Sequence, residues 1–389
     1  MLISKRATNI LLVLLLAVGI GIVAMLASGV RGGPLDPPGP PSATGTLPQV
    51  EPRMPIPPVG WNGTFPIVIN QKGSYFLTQN IQEVGGSANG IEIAVGLVTL
   101  DLNGFALTSF VSTGKGIFAT GGFCAEIEIR NGSLLAWGGD GIDISNCTNS
   151  RITSVRVATS GGNGVTMGNT NSISDCIVSN NTGDGILGGT NDTVSRCSTN
   201  ANQGDYGIRV STGSEVSDSA SDDNAAGVGI FLAVGNGSAT VRDSEVKGNA
   251  YGIVADGFGL IAGNSAHDNV HDGIDVAAGS AMNNTVDNNG GYGIAVTGGA
   301  ATGGEVTGNK ADYNTLDGIY CDCLGTRIDS NHVVHNGAWG IHVLGSHNIV
   351  VRNSATLNTS GGYNVGVGND EAPEQTAAAA TSPMVNIKD

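Results

Sequence analysis

All six histidines of the chain lie between residues 267 and 347, and the first of them sit among carboxylates. His267, Asp268, His271, Asp272, Asp275, Asp287, Tyr292, Asp312 and Asp317 form the densest group of His and Asp in the sequence. Carboxylate oxygens suit Ca2+ and imidazole nitrogens suit softer ions, so Asp268, His271 and Asp275 are the candidate metal ligands. His267, Asp287, Asp312, Asp272 and Asp317 are the candidates for acid–base work, because two carboxyl groups in different environments can divide the roles of proton donor and acceptor. The competing reading is turn chemistry, since Asp before Gly is common in turns.

Such residues meet only if the chain brings distant segments together, and a repeat does this. Gly-Ile, once Gly-Val, followed by a variable and then an apolar residue, recurs twelve times from Gly90 to Gly340, with a mean step near 23 residues. Alternating pairs such as Ile142 and Ile144, Ile208 and Val210, and Ile274 and Val276 have the period of a strand. A second strand follows in most units, as in Val98, Leu100 and Leu102. A unit this short cannot bury its own apolar face, so the units must stack as coils of a parallel β-solenoid, rising ~4.8 Å per coil.

Stacking turns equal offsets from the repeat glycine into neighbours. His267, Asp287 and Asp312 share one offset in successive coils. Asp272 and Asp317 share another, two coils apart, which is roughly 10 Å and near the carboxyl separation of an inverting glycosidase. Asp140 and Asp184 repeat that arrangement. Asn269, Asn289, Asn314 and Asn336 form one column, and Asp243, Asn264, Asn284, Asn309 and Asn331 a second; both read as turn ladders joining coils. Lys115, Lys247 and Lys310 are expected away from the Asp/His group, Arg209 alone on an outward face, and His332, His335, His342 and His347 at solvated positions.

Composition agrees with this architecture. The 389 residues include 62 Gly, 13 Pro and 36 Asn, which disfavours a helical bundle. Charged residues are 13 % and aromatic residues 5 %, so small aliphatic side chains must build the core. A net charge of −16 argues against nucleic acid as a partner. Lys5 and Arg6 precede an apolar run from Ile10 to Val30, which reads as a cleaved signal peptide or as an uncleaved anchor. Either places the rest of the chain outside the cytoplasm, with membrane contact only through this segment. Ten prolines between residues 31 and 60 read as a semi-rigid linker. The solenoid is expected over 61–368, with an N-terminal cap, and a poorly ordered tail over 369–389.

The opening Phe65-Pro66-Ile67-Val68-Ile69, the segment Val98 to Phe105 and the Gly-Ile coils resemble the right-handed parallel β-helix repeat proteins with pectate-lyase-like fold. The resemblance implies an all-β, single-domain right-handed solenoid of about 12 coils. It says little about activity, because that family mixes polysaccharide lyases, hydrolases and epimerases with surface proteins.

Cys124 and Cys147 share one offset in adjacent coils, and Cys176 and Cys197 nearly share another. A coil step falls within the Cα separation that a disulfide accepts, so two staples are expected. Cys321 and Cys323 point to one face and could be thiols, a strained bridge or a metal pair. Tyr251, Tyr292 and Trp339 precede repeat glycines and are the candidate sugar-stacking residues; the alternative is that they cover turn edges. Two functions follow as expectations. One is an exported, non-catalytic module that binds polysaccharide or another surface component. The other is a polysaccharide lyase or glycosidase that uses the Asp/His group, with Ca2+ as the cofactor it would call on.

Overall fold

The computed structural model describes residues 53–389, apart from positions 85, 87, 111, 112, 123, 225, 226, 236 and 299–302. The expected leader, and the expected linker up to residue 52, lie outside the described residues.

Every repeat contributes short parallel strands to three sheets. The first sheet begins with Ile67–Ile69, Ile91–Ile93, Ile117–Ala119 and Ile142–Ile144 and ends with Trp339–Val343 and Gly361–Val365. Among the described residues it has 14 strands, one per coil, so the stack rises about 60 Å. The two coils beyond the expected 12 escape the glycine count for identifiable reasons. Pro66 stands where the first repeat glycine would be, and Tyr363 replaces the isoleucine after Gly362.

Side chains stack by type. Ile142, Val165, Ile186, Ile208, Ile230, Ile253, Ile274, Ile294, Ile319 and Ile341 follow one another in register and are no more than 1 % exposed. Burial of each contributes about 1.5–3 kcal/mol before chain entropy is counted. The repeat glycine is required by close approach: a Cβ on Gly293 would lie 2.5 Å from the carbonyl oxygen of Gly318, the matching residue of the next coil.

All three corners use one device. A residue in the left-handed region, such as Thr170, Asp175 or Asp268, turns the chain, and the buried residue after it, here Asn171, Cys176 or Asn269, reaches along the axis. Along the corner between the second and third sheets the buried residues are Cys176, Cys197, Ser219, Ser244, Asn264, Asn284, Asn309, Asn331 and Asn353. Through its asparagines the backbone N–H of one coil donates to the side chain of the next, as Asn284 N does to Asn309 Oδ1 at 2.9 Å. The corner between the third and first sheets carries Asn181, Asn202, Asn224, Asn249, Asn269, Asn289, Asn314, Asn336 and Asn358 in the same relation. Both expected ladders are therefore present, with one correction. Ser244, not Asp243, is the rung, because the turn from Asn249 to Gly252 is one residue shorter than the corresponding turns Asn269 to Gly273 and Asn289 to Gly293; Asp243 is the left-handed residue before it.

The ends also depart from expectation. Met54–Ile56, inside the expected linker, pairs with Gly73–Leu77 and covers the first coil. The tail is built into the stack: Asn386–Lys388 joins the third sheet, and Asn386 Oδ1 accepts the N–H of Asn353 at 3.1 Å. Asn386 thus supplies the last rung of a ladder, which fixes a segment whose sequence lacks the repeat. Among the described residues no helix is long and apolar enough to cross a membrane.

Candidate functional site

The expected Asp/His group divides between two sheets. His267, Asp287 and Asp312 are in register on the third sheet. Asp272, Asp275 and Asp317 lie at the first sheet, beyond the buried corner of Asn269, Asn289 and Asn314. His267 and Asp272 are only five residues apart in the sequence, but the corner separates them.

On the third sheet each member already has a partner. His267 Nδ1 is 3.0 Å from Asp268 Oδ2 and its Nε2 is 3.1 Å from Glu245 Oε1. Burial opposes protonation of His267, yet these two carboxylates raise its pKa above the ordinary value. Asp287 accepts from Asn288 Nδ2, and Asp312 accepts the N–H of Val334 while pairing with Lys310 at 3.0 Å. Lys247 lies 3.9 Å from Asp268. Two lysines therefore flank this group, contrary to the expectation that none would.

The first sheet carries a different strip. Asp272 Oδ1 accepts the N–H of Tyr292, and Asp317 Oδ1 accepts that of Trp339, both at 2.7 Å. Asp140 and Asp184 do the same for Asn163 and Tyr206. Turn chemistry thus occupies one oxygen of each of these four carboxylates. The second oxygen of Asp317 lies 2.9 Å from His342 Nδ1, so His342 is held by a carboxylate instead of being simply solvated. Burial raises the pKa of Asp272 and of Asp275, and Asp275 accepts from the Thr297 hydroxyl.

Aromatic rings share this strip. Tyr206 stacks on Phe231 with centroids 4.9 Å apart, and Tyr292 stacks on Tyr320 at 4.6 Å. Each pair joins the residue before one repeat glycine to the residue two after the next. Tyr320 meets His342 edge to face, and Tyr251 tilts against His271 at 4.7 Å. Arg209 does not stand alone; its guanidinium lies 5.8 Å from the Tyr206 ring centre. Trp339 lies over the backbone of Gly361, where an added Cβ would come within 2.8 Å of the indole, so it covers a turn edge. Tyr320, Phe231 and His342 are the strip residues that sequence reasoning missed. They share one outward offset, two after the repeat glycine, and comparing that offset across coils would have found them.

Among the described residues no group of three or more His, Cys, Asp or Glu is disposed to hold a metal ion. Asp268, His271 and Asp275 are not brought together; they lie at a corner, over Tyr251 and beside Thr297, respectively. Cys124 and Cys147 form a disulfide, as do Cys321 and Cys323. Cys176 and Cys197, expected as the second staple, are free buried thiols. Their thiols donate to the carbonyls of Ser174 and Ser195, the role Ser219 and Ser244 fill in later coils.

Residues 115–260 match the family model described as "Right handed beta helix region". No curated protein matches the chain. Among solved structures, the A-module of the Azotobacter vinelandii mannuronan C-5 epimerase AlgE4 is similar, with 14 % identity and a TM-score of 0.50 over 77 % of this chain and 90 % of that one. The AlgE6 A-module from the same organism gives 16 % identity and 0.48 over 82 % and 91 %. The Dettilon tailspike protein gives 18 % identity and 0.44 over 81 % and 62 %. At these identities the likeness concerns the fold, which the coil register above and the matched region show to be a right-handed parallel β-helix.

Proposed function

We propose that this β-helix binds an extended polysaccharide along the outer face of its first sheet, as an exported module that does not cleave it. The observation that carries the reading is the repeated ring pair. Tyr206 with Phe231 and Tyr292 with Tyr320 recur at the same positions four coils apart, about 19 Å along the axis, with Asp184, Asp272 and Asp317 beside them. Rings offer apolar surface to sugar C–H groups, and carboxylates accept from hydroxyls. The similar AlgE4 module is named for action on mannuronan, a polymer, which agrees with an elongated ligand. The N-terminal apolar run supports export.

A glycan array with the full chain tests this. Binding to one polysaccharide class, weakened at least tenfold by Tyr206→Ala and by Tyr292→Ala with no products released, is the expected result. Binding that ignores both substitutions would overturn it.

One observation favours a second reading, catalysis at Asp317 and His342. An imidazole oriented by a carboxylate, with Tyr320 against it, is an arrangement suited to proton transfer. Release of oligosaccharides or an altered sugar composition, abolished by His342→Ala, would establish it in place of simple binding.

A further inference from the structure

A groove of about 740 Å³ lies where the second sheet turns into the third, away from the ring strip on the first sheet. Its lining includes Asp175, Arg196, Asp218, Asp243 and Glu245, and the thiols Cys176 and Cys197. The two cysteines occupy successive coils at the same corner, between strands that pair in register. Nothing in the ladder demands sulfur at this position. Ser219 and Ser244 make the same bonds in the next two coils, and asparagines continue the column after them.

We propose that Cys176 and Cys197 form a two-coordinate site for a soft monovalent cation. Thiolates select soft d10 ions, and neighbouring rungs of a parallel sheet, ~4.8 Å apart, are spaced like the ends of a linear S–M–S unit, roughly twice a metal–sulfur bond of about 2.3 Å. Zinc, which wants four ligands, is poorly served by two. Four carboxylates line the groove and favour a cation's approach, with Asp175 paired to Arg196 at 2.7 Å, Asp243 to Arg242 at 3.2 Å and Glu245 3.1 Å from His267. Binding exchanges protons for metal: M+ and two thiols give a bis-thiolate complex of charge −1 and two released protons, with no change of oxidation state.

The test uses the full chain, prepared without reductant so that both disulfides stay closed, and Ag(I) in chloride-free buffer as the probe. One Ag(I) per chain, two protons released, and at least a hundredfold weaker binding in Cys176→Ser and in Cys197→Ser are expected. Serine already serves at this position in two coils, so both variants should fold, which circular dichroism checks. Peptide-mapped alkylation needs no variant: one equivalent of Ag(I) should protect residues 176 and 197 together. Independent binding of one ion per sulfur, binding unchanged in the serine variants, or isolation of the chain with these two cysteines already joined would each overturn the proposal.

Discussion

The backbone N–H of Asn171 donates to Oδ1 of Asp192 at 2.7 Å, across one coil step, and the other carboxylate oxygen accepts the N–H of Gly189 at 2.6 Å. A carboxylate therefore stands where neighbouring coils place an amide or a hydroxyl, Asn171 before it and Ser214 after it. Burial raises its pKa from 3.8 to about 6 despite the two donors. The folded state then holds the proton more tightly than the unfolded state. This group's contribution to stability is full below the unfolded value of 3.8 and is lost as pH rises through about 6. The loss over that window is about 2–3 kcal/mol. Asp192→Asn loses one acceptor but does not titrate. Urea unfolding at pH 4 and pH 7 should show the variant gaining about 2–3 kcal/mol relative to the parent between the two values, and a constant difference would refute the assignment.

Asn309 joins four hydrogen bonds through its side chain, to Asn284 twice, to Ala281 O and to Asn331. Alanine there leaves buried donors and acceptors unpaired, at about 1–3 kcal/mol each. A loss of at least about 3 kcal/mol by chemical denaturation is expected, far above the effect of the same change at an exposed turn asparagine such as Asn288.

Gly293 has no room for a methyl group. Gly293→Ala should destabilise the stack by about 1–3 kcal/mol, as overpacking does. Gly122, where an added Cβ meets nothing within 4 Å, is the control, and its alanine variant should unfold within about 0.5 kcal/mol of the parent.

The disulfide between Cys124 and Cys147 closes a loop with a sequence separation of 23. Replacing both cysteines by serine should cost about 3 kcal/mol through the entropy of the unfolded chain. An unchanged midpoint of unfolding would show that the bond adds nothing to the stacking already present.

The repeat, the inward isoleucine column and the asparagine stretches of two of the three ladders were legible because each rests on one residue type at a nearly constant offset. The third ladder, through Ser150, Asn171, Asp192 and Ser214, mixes residue types and so leaves no pattern to read. Left-handed corners at Arg196, Tyr313 and Leu357 were equally hidden: these residues do not favour that conformation, and the stacked neighbours impose it. The candidate site was half legible. Shared offsets put His267, Asp287 and Asp312 side by side, but a short sequence separation suggested a single patch where a buried asparagine corner makes two. The free state of Cys176 and Cys197 was not legible, because spacing permits a bond that the hydrogen bonds of the column do not require.

The ladders have a direction. Along the asparagine corners the main-chain donors up to Asn336 on one and Asn353 on the other find their acceptors on the coil that is synthesised later, and the acceptor of Asn353 arrives only with Asn386. A nascent coil leaving the ribosome is therefore incomplete until its successor emerges, and the growing end always exposes unmet amide groups. Chains cut short at the C-terminus keep that raw end permanently, whereas removing coils from the start leaves every surviving N–H of the ladders with its partner.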